Sequence, residues 1–392
     1  MSEPREGGGT PPGRVLVTDG EFKHTLGIVR ALAARGHEVH LLARSGRAPA
    51  VHSRAVRAWY PMPDTRTPEF EGRLLELAAS LSPISCVPVG SGSMAVADRV
   101  RDRLQGAGIR VALSPVESFA IASDKEKTAA VARTAGVATP GECLVADATA
   151  ARDATRTLGL PMILKSAREE GRKALRYVRR IEDVEDAFRE VRGLATAGVL
   201  AQEFVKGEGF GFSALYWNGR RVRHCMHRRV REWPPTGGTS ACAESLPHAP
   251  ALERAGTAVL DALKWHGVAM VEFKGALTGE LKLMEVNAKF WGSHDLALAA
   301  GVDFPGDLAA LLEGRTLPPQ APVKPVRFAW PLGGDLWHAM AAPRDFFAVL
   351  GDALSPGVAK SFRWSDPAPT LWEIAQWVRS TPGAMREARE LR

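Results

Sequence analysis

The sequence is poor in the residues that would announce a chemistry. Its four cysteines, Cys86, Cys143, Cys225 and Cys242, stand far apart and form no Cys-x-x-Cys pair. That spacing excludes a zinc framework or a disulfide scaffold and predicts reduced thiols in a cytoplasmic protein. No apolar run reaches the ~18 residues a membrane-spanning helix needs. The opening MSEPREGGGTPPGR has no apolar signal core, and residues 1–13 read as a disordered tail. There is no internal repeat and no low-complexity stretch beyond that tail. Gly20 and Gly27 do not make the Gly-x-Gly-x-x-Gly of a dinucleotide fold. A strong charge bias is missing too. The net charge of +7 is spread along the chain, which suits solvated surface or a phosphate-bearing ligand better than a nucleic-acid groove.

What is present is enough for several cores. The 392 residues are 45% hydrophobic and 24% charged, a soluble composition long enough for two or three domains. RVLVTD, Thr25 to Arg35 with Leu26, Val29 and Leu32 on one side, and EVHLLAR spell a β-α-β unit. Further strands are expected at Ser85 to Val89 and Arg110 to Leu113, with helices near 69–80 and 94–105. The first ~115 residues therefore read as an open α/β domain, whose loops after Val17 and Val89 lie at carboxyl ends of strands, where such sheets bind small molecules.

Ser123, with Glu126 three residues on, predicts a capping box for the next helix. LPMILKS is a short strand, a helix spans about 182–194, and GVLAQEFVKGEGFGFSALYWNG holds two strands. RRVRHCMHRRVREW is another strand, WPPTGGTSA a loop, and 250–265 a helix. GVAMVEFKGALTGELKLMEVN predicts a β-hairpin turning around Gly275 to Gly279. PPQAP near 318–322 reads as a linker into a tryptophan-containing C-terminal extension.

The hairpin carries the chemistry. Alternation puts Glu272 on one face of the first strand, and Glu285 and Asn287 on one face of the second. If those faces coincide, two carboxylates and an amide converge, an oxygen set suited to magnesium. The alternative is a pair of strand-end carboxylates neutralised by Lys274, Lys282 or Lys289. Lys165, after the apolar run PMIL, is placed to grip phosphate or to stand solvated at a strand end. Glu208 serves either a ribose or a turn.

In order, SDK, PMILKS, QEFVKGEG, VEF and MEVN resemble the ATP-grasp superfamily over residues 14–320. EVNAKFWGSHDLALAAGVDFP, preceded by HRRVREWPPTGG, resembles the branch containing carbamoyl-phosphate synthase and carboxylate–amine ligases. The resemblance implies a mixed α/β and α+β chain. An N-terminal α/β domain (14–115) precedes a lid (116–204), a catalytic lobe (205–320) and an extension (321–392). By position, Lys125 and Lys165 would contact ATP phosphates, with Lys165 also near the adenine. Glu203, Phe204 and Val205 would border the adenine and Glu208 the ribose. Glu272, Glu285 and Asn287 would hold two Mg2+ ions, with Mn2+ as an alternative.

Arg228, Arg229, Arg231 and Lys289 would serve catalysis. Thr236, Gly237, Gly238 and Thr239 form an expected lid loop, and Trp291, Ser293 and His294 lie near the expected acceptor; for His294 a structural role is the stronger reading. Relatives commonly carry arginine two residues before the first metal carboxylate, where Met270 stands here, so Arg228 or Arg231 is expected to compensate. Relatives also carry arginine where Lys289 stands, and a glycine-rich phosphate loop where SAREEGRKALRYV stands.

The implied reaction activates a small-molecule carboxylate as an acyl phosphate and joins it to an amine, releasing ADP and phosphate. Two alternatives are another acyl-phosphate enzyme (using ammonia, bicarbonate, a hydroxyl or a thiol) and a non-catalytic ATP-binding protein. Neither nucleic acid nor membrane is an expected partner; a homodimer is the default assembly.

Overall fold

The computed structural model describes residues 13–167, 175–235 and 237–390. The tail expected over 1–13 lies almost wholly outside these residues, as do Thr236 and the charged segment 168–174. The chain divides into two compact units. One is Met1–Leu113 with Val230–Ser245 and Lys289–Arg392; the other is Ser114–Arg229 with Leu246–Ala288. Among the described residues no helix is long and apolar enough to cross a membrane.

The first unit opens with a four-stranded parallel sheet in the order Val56–Pro61, Glu38–Ala43, Arg14–Val17, Ser85–Val87. Val15, Leu16 and Val17 are fully buried, as a strand covered on both faces requires. Leu26, Val29 and Leu32 of the helix Thr25–Ala34 are buried with them. A Cβ at Gly27 would sit 1.9 Å from Asp295 Oδ1, so any other residue there would have to displace that buried side chain.

Three expectations need correction. Val56–Pro61 is a strand the apolar pattern did not reveal; it lies at the sheet's edge and is only half buried, so no apolar run marks it. Arg110–Leu113 is not a strand and contributes a single bridge, Ser85 to Arg110. The helix expected near 94–105 is two, Ser91–Arg99 and Arg101–Gly106, parted at Val100.

The C-terminal part of this unit begins with the helices His294–Ala299 and Phe304–Leu312, followed by an irregular stretch at 315–326 where a linker was expected. Arg327–Ala329 then pairs antiparallel with Thr239–Ser245 and parallel with Val358–Ala359. Thr239 and Ser240 therefore open a strand rather than close a loop. Arg30 of the first helix reaches Asp366 at 2.8 Å, both side chains buried.

The second unit contains two antiparallel sheets. The smaller runs Glu142–Val145, Val199–Glu203, Met162–Ser166, Leu175–Val178. The helices Ala148–Leu158 and Val184–Leu194 pack on it, around Met162, Leu164, Val191 and Ala201. The larger places Leu281–Asn287, Gly267–Gly275, Glu208–Trp217 and Arg220–Trp233 side by side, the last strand running on into the first unit. The helix expected to start with a Ser123 capping box is capped instead by Asp124, which accepts from Lys127 N at 3.2 Å. Ser123 turns back to Phe119 O.

Helix Pro250–Ala262 lies on the larger sheet through Leu252, Val259 and Leu260 against Phe210 and Phe212. A Cβ at Gly256 would come within 2.3 Å of the Phe212 ring. Gly256→Ala should therefore cost about 1–3 kcal/mol by overpacking. Gly193→Ala, on a helix with nothing within 4 Å of the new methyl, should stabilise by about 0.5–1 kcal/mol. Urea unfolding of the two variants checks both signs.

Candidate active site

The hairpin register brings the expected metal residues together. Glu272 lies directly opposite Glu285, and Met270 opposite Asn287. Asn287, 7% exposed, donates Nδ2 to Glu272 Oε1 at 3.1 Å and to Glu285 Oε1 at 3.4 Å. A half-turn of the planar amide presents its oxygen to the same point. Among the described residues no three of His, Cys, Asp and Glu cluster as a metal site; what converges here is two carboxylates and an amide. Of the lysines weighed as neutralisers, Lys282 holds Glu203 at 2.8 Å.

The arginine run resolves by register. Arg228 points to Glu208, 3.0 Å away, with both side chains substantially exposed. Arg229 forms an ion pair with Glu272, both mostly buried. Between them lies the strand carrying Gly211, opposite both Glu272 and His227. A Cβ at Gly211 would strike the His227 ring at 2.1 Å, so glycine keeps this face open across the strand. Burial, with Arg229 beside it, lowers the His227 pKa to about 3; the cation on this face is the arginine.

Lys165 is 8% exposed and donates to Gln202 Oε1 at 3.0 Å, while Gln202 Nε2 donates to Glu142 Oε2 at 2.8 Å. Gln202 and Glu142 were not anticipated; the signal was a polar Gln202 inside the apolar run VLAQEF. Lys125, the first residue of its helix, lines with Glu142, Gln202 and Glu285 a narrow crevice of about 20 Å³, room for roughly one water. The Glu203 carboxylate is engaged by Lys282 and by Gly141 N at 3.0 Å. Phe204 presents its ring to Lys274 at 5.0 Å and to Tyr177 at 5.9 Å; Val205 is buried.

The remaining expected residues belong to the first unit. Asp335 and Asp352 take the Arg231 guanidinium at 2.6–2.8 Å in a buried group. Lys289 donates to Ser91 Oγ at 2.6 Å, a partner that sequence proximity did not suggest. Trp291, 2% exposed, packs against Phe304 and His294 and is core rather than substrate surface. His294 is fully buried with neither ring nitrogen hydrogen-bonded. Burial takes its pKa down to about 3. Ser293 is buried beside it. In the loop, Gly237 adopts φ 128°, a Cβ at Gly238 would lie 2.1 Å from Trp233 O, and Thr239 is exposed.

No protein-family model and no curated protein matches the sequence. Solved structures match in architecture. The ADP complex of PurK, an N5-carboxyaminoimidazole ribonucleotide synthetase, has a TM-score of 0.67 at 12% identity, over 88% of this chain and 87% of that one. Biotin carboxylase from Campylobacter jejuni, in complex with β-γ-ATP, gives 0.66 at 17% identity, over 80% and 74%. The biotin carboxylase domain of Hydrogenobacter thermophilus 2-oxoglutarate carboxylase, with MgADP and bicarbonate, gives 0.63 at 17% identity, over 80% and 72%.

The buried Lys165 yields a pH signature. Burial first, then the charge of Lys125, lowers its pKa from 10.5 to about 8, with Glu285 and Glu142 partly offsetting them. Unfolding restores the ordinary value, so between these two pH values the unfolded chain binds more protons and stability rises with pH. The burial penalty is fully present below about pH 8. Lys165→Met should therefore gain most over the wild type at pH 7, by roughly 1–3 kcal/mol, and the gain should disappear towards pH 10.5. Denaturant unfolding across that range checks it; a difference independent of pH would leave the Lys165 pKa unshifted.

Proposed function

Because the chain has the ATP-grasp fold, we propose that it is an ATP-dependent ligase joining a carboxylate to an amine with release of ADP and phosphate. The observation that carries this is the convergence of Glu272, Glu285 and Asn287 beside Arg229, in the unit that also holds the buried Lys165–Gln202 pair. Two carboxylates and an amide oxygen are hard donors that suit Mg2+, which takes one or two carboxylates plus substrate phosphates. The proposed site holds two such ions, with Mn2+ as a substitute. When bound, the metal neutralises charge that develops on the transferring phosphoryl group.

The chain's own residues then divide the work. Lys125 and Lys165 grip the phosphates of ATP; the Glu203–Val205 backbone, with Phe204, borders the base, and Glu208 the ribose. A carboxylate oxygen of the substrate attacks the γ-phosphorus and the bond to the ADP oxygen breaks, leaving an acyl phosphate. The amine nitrogen attacks the acyl carbon and loses its proton, and phosphate departs. Arg229 supplies the positive charge that relatives place where Met270 stands, and stabilises the oxyanion. Lys289 serves the substrate, and the glycine loop through Gly237, Gly238 and Thr239 excludes water from the acyl phosphate.

A second reading, with bicarbonate as the activated carboxylate, draws support from the matching domain solved with MgADP and bicarbonate.

Purified protein given ATP, Mg2+, pools of carboxylates including bicarbonate, and amines in turn should form ADP and phosphate only with one productive pair. Glu285→Gln should abolish turnover while leaving the fold intact. AMP and pyrophosphate as products would overturn the acyl-phosphate route. In the same assay Gly237→Ala and Gly238→Ala should raise ADP formed per coupled product several-fold; unchanged coupling would remove the water-excluding role.

A further inference from the structure

The last three residues of the strand Arg220–Trp233 are each gripped by one C-terminal segment. Arg231 donates to both oxygens of Asp335, at 2.7 and 2.8 Å, and to Asp352 at 2.6 Å. The Glu232 carbonyl accepts from His338 Nδ1 at 2.7 Å. The Trp233 ring lies 6.0 Å from Trp337, tilted by 48°. The turn before them comes close because Gly334 adopts φ 145°; a Cβ there would sit 3.1 Å from Trp233 Cβ. His338 is fixed from its other side by Asp345, 2.9 Å from Nε2.

The glycine loop leaves Trp233 and returns in Thr239–Ser245. That return is held by the same segment, since Trp330 N donates to Ala241 O at 2.9 Å and Asp335 N to Trp330 O at 3.1 Å. Lys23 adds a bond to Ser240 O at 2.9 Å. Within the loop, Gly237 N reaches Pro234 O at 3.1 Å and Gly238 folds against the Trp233 carbonyl. Trp233 and the strand from Thr239 thus both rest on residues some hundred positions downstream.

We propose that the segment from Trp330 to Asp352 is the brace that sets the positions of Gly237, Gly238 and Thr239, with His338 and Trp337 as positioning residues acting through Glu232 and Trp233. Its consequence for catalysis rests on the ligase reading above, in which the loop excludes water; its structural part does not. A displacement of about 1 Å at such an element is enough to degrade a reaction.

The test compares His338→Leu with His338→Asn. Asparagine carries an amide nitrogen near the position of Nδ1 and can still donate to Glu232 O, whereas leucine cannot. Amide hydrogen exchange at Gly237–Ser240, referenced to Val15–Val17 to remove global unfolding, should speed up about tenfold in His338→Leu and return towards wild type in His338→Asn. ADP formed per coupled product should rise in the first and fall back in the second. Asp345→Asn, which loosens only the outer hold on His338, serves if His338→Leu does not fold, with a smaller acceleration of the same amides.

Unchanged exchange in these variants overturns the brace. Faster exchange with unchanged coupling overturns the positioning role in catalysis. Absence of ADP formation by the wild type with any pair would sink the ligase reading, and the exchange comparison would still decide the brace.

Discussion

Two carboxylates facing each other across an antiparallel pair repel, and the main sheet of the second unit is arranged around that repulsion. Like charges directly opposite on one face destabilise a sheet. Glu272 and Glu285 stand in that relation. The sheet offsets it with a neutral donor on the same strand pair, Asn287, and with a cation from two strands away, Arg229. The cation can reach only because the intervening strand presents Gly211 on this face. His227 fills the space above that glycine as a neutral ring, so it adds bulk without a second cation. The charge of the face is set by a few residues whose positions the strand register dictates.

Met270 fits this arrangement. The family resemblance leads to the expectation of an arginine there, two residues before Glu272. Here Met270 is buried and opposite Asn287, and the cation paired with Glu272 is Arg229. The sequence pattern pointed to Arg228 or Arg231 as the compensating residue. Alternation along a strand distinguishes Arg229 from its two neighbours, but it does not say which face meets the carboxylates. The pairing partners decide that: Glu208 for Arg228, Glu272 for Arg229, Asp335 and Asp352 for Arg231. Asp335 is 104 residues from Arg231, and nothing local in either stretch announces the pair.

The same distinction separates what was legible from what was not. The hairpin, the central strands and the amphipathic helices were legible because their spacing records which side is buried. Arg14–Val17, Met162–Ser166 and Leu281–Asn287 all stand where apolar alternation or a short apolar run placed them. The edge strand Val56–Pro61 was not, because an edge has no second neighbour and shows half its residues to water. Trp291 and His294 stand close in sequence to Asn287, yet the chain turns inward after the strand Leu281–Asn287 and both join an aromatic cluster with Phe290 and Phe304. Proximity along the chain is a weak guide just past a strand end, where direction changes within a few residues.

The extension beyond residue 320 acquires a physical necessity from these contacts. It lies outside the stretch over which the sequence resembles ATP-grasp proteins, and by pattern alone it looked like packing around several tryptophans. Asp335 is fully buried and Arg231 nearly so. Burial works against the arginine's charge, and the bonds to Asp335 and Asp352 more than restore it, holding the guanidinium above its ordinary pKa. Removing one partner of a buried pair leaves the other uncompensated, at a cost of about 3–5 kcal/mol. That cost falls at Arg231, two residues before Trp233, where the glycine loop begins. A chain without the extension would lose the Trp337 packing and the His338 bond at the same place. The end of the strand Arg220–Trp233 would then carry an unpaired cation and an exposed indole. The extension therefore belongs to the same structural unit as that strand end for an electrostatic reason, independent of what the site binds.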